Sequence, residues 1–283
     1  MPLFLVLAVG MLAISSASII IRLLPEVPAL SIAAWRLTLS ALITLPLALR
    51  KQELKRIDLK SLLLSSLGGF FLAVHFSLWI TSIKLTTVAS AVVLGTTTPI
   101  WVSIVSHFFL RERNDLREWL GILTSVAGGF LVGYGDIGLS GKALLGDALA
   151  LFSAWAISAY FIIGRKLRTN LSLLAYSAAV YTAAAFFLIV FCFLAAAPLT
   201  GFQPKEYFLL LLLALLPQLV GHNALNWALA RLKASIVTLS VLAEAIISGT
   251  FAAIIFKEIP PIIAFVGYFL IMGGIIVTTR KNT

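Results

Sequence analysis

The sequence contains very little sulfur and very little charge. Cys192 is the single cysteine among 283 residues, so neither an internal disulfide nor a multi-cysteine metal site can form within the chain. Charged residues make up 11% of the sequence, compared with about 25% in a typical soluble domain. Because so few charges cannot cover the surface of a water-soluble fold, the composition argues against a soluble protein.

Catalytic and nucleotide-binding motifs are also missing. No H-E-x-x-H or similar metal-ligand spacing occurs, which argues against a membrane-embedded enzyme. The G-x-G-x-x-G pattern at 133–138 follows an apolar helical stretch, whereas a dinucleotide fingerprint follows a strand. Gly141-Lys142 resembles the end of a phosphate-binding loop, but Ala143 stands where Ser or Thr is required. We therefore expect no cofactor and no ATP-driven activity.

Apolar residues dominate what remains. They make up 61% of the chain, and the mean hydropathy is +1.07. They recur in stretches near the roughly 20 residues that a helix needs to cross a hydrocarbon core of about 30 Å. The sequence therefore predicts an all-α polytopic membrane protein with ten spans, at 2–22, 28–49, 61–83, 87–110, 117–135, 145–164, 172–196, 206–230, 234–256 and 260–279.

The net charge of +10 reflects membrane topology. The 21 Lys and Arg residues form short clusters between apolar runs, whereas a nucleic-acid-binding protein gathers them on one basic face, so no nucleic-acid partner is expected. With the N-terminus in the cytoplasm, 15 of them lie inside and five outside, and Arg36 lies within a span. This positive-inside bias predicts that both termini lie on the cytoplasmic side of the cytoplasmic (inner) membrane. A cleaved signal peptide is the alternative for the first span, but no positive charge precedes Leu3 and the apolar run is long.

The two parts of the chain repeat each other weakly. One set of matches has a shift of 143 residues and another has a shift of 146. Five spans fall in each part, and because five is odd the two parts must be inverted in the membrane, as in many secondary transporters. We expect two halves, 1–138 and 139–283, around a central cavity. The matches are Ala13-Ile14-Ser15 and Arg22 with Ala156-Ile157-Ser158 and Arg165, and Arg111-Glu112, Gly121 and Gly128 with Lys257-Glu258, Gly267 and Gly274.

Four motifs stand out along the chain: Ala89-Ser90-Ala91 through Thr98-Pro99, Leu110–Arg113 with Gly121, Gly146–Leu151 through Trp155-Ala156, and Glu244 with Phe256-Lys257-Glu258. These motifs resemble the EamA-type transporters of the drug/metabolite transporter superfamily. The resemblance covers essentially the full length, and it implies two inverted five-helix halves with peripheral fifth and tenth helices. It also implies transport of metabolites such as amino acids, often outward. Where this family often has Glu-Pro, the chain has Glu244-Ala245, which would weaken a kink there.

Two charged residues fall near the middle of predicted spans. Arg36 lies about eight residues into the second span and Glu244 about ten residues into the ninth, roughly 12 and 15 Å along their axes. Ionisable groups at such depth are functional candidates by default. We expect them either to pair or to share a substrate that carries a carboxylate and an amine. The simpler alternative is a permanent ion pair that only fixes packing.

Polar residues also recur at helical spacing on three spans. His75, Trp79 and Ser82 follow one face of the third span, and Gln218, His222 and Asn226, with Asn223 adjacent, follow one face of the eighth. Ser240, Glu244 and Ser248 do the same on the ninth. We expect these faces to line a shared cavity, in which His75 and His222 could relay protons. The alternative is that they form ordinary interhelical hydrogen bonds.

Aromatic residues and a proline complete the candidate site. Pro99 removes a backbone donor within the predicted fourth span and predicts a helix kink beside Thr98. Trp79, Trp101 and Trp155 would line an aromatic path for the substrate, together with Tyr160 and Tyr176. Core packing is the alternative for each of them.

These observations together predict a secondary transporter or permease that works by alternating access. The expected substrate is an amino acid or a related amphipathic solute. A channel is the main rival, but no selectivity-filter loop or ring of like charges is present.

Overall fold

The computed structural model describes residues 3–86, 88–95, 97–133, 141–257 and 262–279. Within these ranges the chain is helical and contains no strand. A short 3₁₀ helix, Glu53–Arg56, connects the second and third helices. In chain order the helices are α1 Leu3–Arg22, α2 Ala29–Arg50, α3 Leu59–Leu85, α4 Val88–Gly95, α5 Thr98–Phe109, α6 Leu116–Gly133, α7 Gly141–Arg168, α8 Leu173–Leu194, α9 Pro204–Leu229, α10 Ala234–Phe256 and α11 Ile262–Thr279.

Eight of the described helices are long and apolar enough to cross a membrane, and they coincide with eight of the ten predicted spans. The predicted fourth span is divided between α4 and α5, and the fifth falls on α6. The polytopic membrane class is thereby confirmed, while the ten-span count and the orientation stay predictions. Residues 134–140, Glu258 and the basic pair at 280–281 lie outside the described residues.

Polar side chains at the helix starts define where several helices begin. Asp58 accepts a hydrogen bond from the Ser61 amide at 3.3 Å at the start of α3, and Ser172 accepts one from the Ala175 amide at 3.1 Å at the start of α8. Such caps satisfy amides that have no partner within the helix. The long helices therefore start at sequence signals placed between the apolar runs.

The most enclosed helices surround α3. Helix α3 packs against α7 and α8, α2 packs against α8, and α1 crosses the middle of α9. In contrast, α10 and α11 bury 22% and 28% of their most apolar 18-residue stretch, whereas the other six long helices bury 44% to 56%. The candidate site lies among the enclosed helices, and α11 lies at the periphery.

Glycines let α6 and α11 approach very closely. A Cβ atom on Gly121 would lie 2.7 Å from the Gly274 carbonyl oxygen, and one on Gly128 would lie 2.6 Å from that of Gly267. Early residues of α6 thus meet late residues of α11, so the two helices are antiparallel. Ser125 adds a hydrogen bond from its hydroxyl to the Ile271 carbonyl at 3.1 Å. Small residues that allow such contact are a common means of holding membrane helices together.

This contact gives a stability prediction with a matched control one residue away. A Cβ on Gly274 would overlap Ser125 Oγ and the Gly121 carbonyl oxygen, whereas a Cβ on Gly273 meets nothing within 4 Å. We expect Gly274→Ala to destabilise the protein by about 1–3 kcal/mol through overpacking, and Gly273→Ala to be neutral or slightly stabilising. Thermal unfolding of both variants in detergent measures the difference. Equal melting temperatures would contradict the described packing of α6 against α11.

Candidate functional site

A cavity lies where α1, α2, α3, α4, α5, α7, α9 and α10 meet. Its empty volume, counted to its mouth, is about 710 Å³. Ile14, Phe161 and Leu225 contribute to a mainly apolar wall. An apolar wall with a few converging polar groups is typical of a small-molecule site. Six of the residues predicted from the sequence line the cavity: Arg36, His75, Trp79, Thr98, His222 and Glu244.

Arg36 is held on two sides but keeps a free donor. Its side chain is 1% exposed. Nε donates to Gln218 Oε1 at 2.8 Å, and the guanidinium lies 4.0 Å above the Phe76 ring. Both contacts favour the charged form and fix its direction. The Nη1 atom is buried without a hydrogen-bond partner, which leaves it able to bind an acceptor inside the cavity.

Glu244 lines the same cavity without an ion pair to Arg36. Among the described residues no such pair is present, and Glu244 Oε1 is buried without a hydrogen-bond partner. A permanent Arg36–Glu244 pair that only fixes packing is therefore not what this conformation contains. A guanidinium and a carboxyl group that line one cavity, each with an unsatisfied atom, form an incomplete polar site.

His75 is oriented by a contact across to α7. Its Nδ1 lies 3.0 Å from the Ser153 carbonyl oxygen. Because a carbonyl only accepts, Nδ1 must donate, and the neutral ring then has its acceptor at Nε2. The ring stacks on Trp79 with a centroid distance of 6.1 Å and an interplanar angle of 15°. His75 and Trp79 thus form one flat face of the cavity.

The middle of α9 is a π-helix, Ala214–His222, which contains Pro217. A π-helix has wider turns than an α-helix, and such segments are frequent at functional sites. Helix α1 crosses here, since a Cβ on Gly10 would lie 3.5 Å from the Gly221 carbonyl oxygen. His222, at the end of this segment, places its ring 5.4 Å from Phe76 and keeps Nδ1 buried without a partner.

The polar residues predicted on one face of α9 do not all line the cavity, and His222 is the one of the four that does. Gln218 bonds to Arg36. Asn223 Oδ1 accepts from Tyr181 Oη at 2.8 Å, and Asn226 Oδ1 accepts from Tyr160 Oη at 2.8 Å. Asn223 and Asn226 therefore join α9 to α7 and α8, as in the alternative of interhelical hydrogen bonding.

Two of the three predicted tryptophans lie outside the cavity lining. Trp101 and Trp155 form a T-shaped pair with ring centroids 5.2 Å apart. Trp155 is 44% exposed and also contacts Phe152. The pair therefore packs at the surface of the bundle, and Trp79 alone of the three faces the cavity.

The cavity is bordered by two helix interruptions at equivalent positions. Near Pro99, which is the second residue of α5, the amide of Thr97 bonds to Leu94 and that of Ile100 to Thr97. In α10, α-helical segments Ala234–Val241 and Ala243–Phe256 meet at Leu242, whose amide bonds to Leu239. These i to i+3 bonds tighten the backbone. Glu244-Ala245 corresponds to Thr98-Pro99 at the shift of 146, so α10 is interrupted at this point without a proline.

Charged residues form ion pairs at the end of the bundle where α7 ends and α10 begins. We call Glu112, Glu118, Arg165 and Lys233 the loop-side cluster. Arg165 Nε lies 2.6 Å from Glu112 Oε1, and Lys233 Nζ lies 2.8 Å from Glu118 Oε1. Glu112 Oε2 also accepts from the Ala234 amide at 3.1 Å and so caps α10. The cluster joins the loop after α5 and the first turn of α6 to the end of α7 and the start of α10, one turn beyond the cavity residue Phe161.

Several of these roles were not predicted from the sequence. Phe76, the cation–π partner of Arg36, looked like an ordinary apolar residue, and Ser153 contributes only its backbone. Glu112 and Arg165 were noted as repeat markers but not as partners. Because both residue types recur at equivalent positions in the two parts of the chain, the repeat could have indicated a structural or gating role.

Similar proteins support a transport role. YetK of Bacillus subtilis, described as an uncharacterized transporter, is 24% identical over 299 residues, covering 98% of this chain and 86% of that protein. An uncharacterized transporter of Archaeoglobus fulgidus is 26% identical over 289 residues, covering 98% and 97%. A protein of known crystal structure has the same fold, with a TM-score of 0.80, 18% identity, and coverage of 98% of this chain and 96% of that one.

The sequence profile described as the EamA-like transporter family matches the chain twice, at residues 1–134 and 144–280. Together the two matches cover nearly the whole chain. The membrane helices and the enclosed cavity agree with a transporter that takes a small-molecule substrate. The chain belongs to the EamA-like transporter family of the drug/metabolite transporter superfamily.

Proposed function

We propose that this protein is a secondary transporter that exports a small zwitterionic metabolite, an amino acid or a related amphipathic solute, across the cytoplasmic membrane. The observation that carries the proposal is the pair of buried, unpaired charges in one apolar cavity. Arg36 offers a donor to a substrate carboxylate, and Glu244 offers an acceptor to a substrate ammonium group. The outward direction and the cytoplasmic membrane are proposed from the family resemblance and the charge bias of the loops.

Two inverted halves, 1–138 and 139–283, would provide the movement. The contacts between α6 and α11 support this arrangement. Exchanging Gly121 with Gly267 and Gly128 with Gly274, the pairs related by the shift of 146, converts one contact into the other. A twofold axis in the membrane plane has this property. The interruptions of α4–α5 and of α10 follow the same shift and border the cavity, as do the discontinuous helices of many transporters.

The loop-side cluster supports alternating access in preference to an open pore. One ion pair joins the loop after α5 to α7, and the other joins α6 to Lys233, which immediately precedes α10. A channel would need continuous access from both ends. In the proposed cycle this end is closed in the conformation described, and opening requires the cluster to separate.

Replacing the cavity carboxylate tests the binding site. We expect Glu244→Gln to lower saturable flux by roughly thirtyfold or more, since a buried contact to a charged group contributes about 2 kcal/mol, while expression and melting temperature stay close to wild type. Uptake and efflux of a labelled amino-acid and metabolite panel in proteoliposomes, with and without a pH gradient, measures this loss. Dependence of flux on the gradient would indicate proton coupling.

The matched control for this test is Glu53→Gln, which removes a carboxylate in the 3₁₀ helix between α2 and α3, outside the cavity lining. This variant should transport normally. Normal flux in Glu244→Gln, or equal losses in both variants, would contradict the assignment of Glu244 to the substrate site.

Weakening the loop-side cluster tests the gate. In a Cys192→Ala background, a cysteine replacing Thr98 reports access to the cavity. We expect Glu112→Gln with Glu118→Gln to raise its labelling rate by roughly tenfold from the side that carries the cluster, because two partly buried ion pairs are lost. A membrane-impermeant thiol reagent applied to one side of sealed vesicles measures the rate.

The same cysteine variant with Glu53→Gln provides the baseline for labelling. An unchanged labelling rate in the double Gln variant would show that the cluster does not limit access. An equal increase from both sides would indicate a general loss of structure in place of an opened gate.

A further inference from the structure

A second, separate opening lies on the outside of the bundle. It is bounded by α2, the 3₁₀ helix, α3 and α8, and its empty volume, counted to its mouth, is about 1170 Å³. The walls are almost entirely apolar, with side chains such as Leu45, Leu54, Ile57, Leu62 and Phe187. Helices α2, α3 and α8 are each long and apolar enough to cross a membrane. The groove therefore faces the hydrocarbon of the bilayer and has room for a flexible apolar chain.

Helices α3 and α8 are in close contact beside the groove. A Cβ on Gly69 would lie 2.6 Å from Ala183 Cβ and 2.7 Å from the Val180 carbonyl oxygen, so the backbones are in contact there. Leu62 and Ser66, which precede Gly69 on α3, line the opening. Leu54 and Ile57 of the connecting segment line it from the loop side without closing it.

Basic residues are concentrated at the loop end of this groove. The segment 50–60 contains five Lys and Arg residues beside two acidic residues, Glu53 and Asp58, whereas the other four loops or ends predicted to lie inside contain three, three, two and two Lys and Arg residues. Arg50, Lys51, Lys55 and Lys60 are exposed. They flank Leu54 and Ile57, which line the groove. A positive-inside bias explains basic residues in this loop, but it does not explain why the largest cluster adjoins an unfilled apolar groove.

We propose that this groove binds an anionic phospholipid of the bilayer. One acyl chain lies against α3 and α8, and the phosphate is bound by Lys51, Lys55 and Lys60. Basic pockets between membrane helices bind anionic headgroups in this manner. The site is separate from the cavity that contains Arg36.

Lipid titration of the purified, delipidated full-length chain tests this proposal. Native mass spectrometry and thermal unfolding are recorded with dioleoyl phosphatidylglycerol and, separately, with dioleoyl phosphatidylcholine. We expect the wild type to bind the anionic lipid more tightly and to melt at a higher temperature with it. Replacing Lys51, Lys55 and Lys60 with Gln should weaken this binding by about fivefold for each lysine, or about a hundredfold in all. Ala179→Phe, which fills the groove, should abolish it.

Matched variants separate the groove from general surface effects. The charge control replaces Lys142, Lys166 and Lys205, which are exposed elsewhere, with Gln, and the volume control is Ala127→Phe on the exposed face of α6. Both should bind the anionic lipid as the wild type does. If Ala179→Phe does not fold, the variant in which Gln replaces Lys51, Lys55 and Lys60 tests the proposal by itself.

Three results would overturn the proposal. The first is equal affinity of the wild type for the two lipids. The second is an equal loss of binding in the groove lysine variant and in its charge control. The third is stabilisation by glycerol 3-phosphate as strong as that by the lipid at the same concentration, which would identify a free-anion site.

Discussion

The free-energy cost of burying a charge away from water is the main constraint on the residues at the centre of this molecule. Arg36 is almost fully buried, and it is stabilised there by Gln218 on one side and the Phe76 ring on another. Neither contact neutralises the charge, and Glu244 shares the cavity without pairing. A hydrocarbon-like interior makes such an arrangement costly unless the polar atoms later gain partners. A substrate with both a carboxylate and an ammonium group would supply a partner to each, and this complementarity links the fold to transport.

The backbone around these charges is irregular for a related reason. The π-helical segment of α9 and the tightened turns near Thr97 and Leu242 interrupt regular i to i+4 bonding. In a membrane interior, irregular backbone is tolerated where it is enclosed by protein or lines a cavity. The cavity lies at these interruptions, between Gly95 and Thr98 on one side and Leu242 and Glu244 on the other. Helices divided there can change their relative tilt at a lower cost than continuous ones, which fits the movement proposed for the two halves.

Composition and periodicity predicted the membrane class because apolar length is a property of each segment alone. The central position of Arg36, His75, Trp79, His222 and Glu244 could also be predicted, because a polar side chain on an apolar helix must face other protein or water. The role of Gln218 could not. Gln218 bonds to Arg36 and Asn226 to Tyr160, and helical spacing within one span does not identify partners on other helices. Trp155 was also misplaced, because an aromatic residue suits a lipid-facing surface as well as a cavity.

The proposed symmetry concerns the movement of the two halves, whereas the charged groups of the site concern recognition of the substrate. Under the shifts of 143 to 146, Arg36 corresponds to residues between Ala179 and Thr182, none of which is charged, and Glu244 corresponds to Thr98. Each charge therefore occurs in one half only. Two inverted halves with similar packing can exchange conformations at similar free energy, which is what access from alternate sides requires. A site with one cation and one anion, in contrast, holds a zwitterionic substrate in a single orientation. During the proposed cycle the substrate would keep this orientation while the helices around it exchange roles, so the transport path is symmetric and the recognition is not.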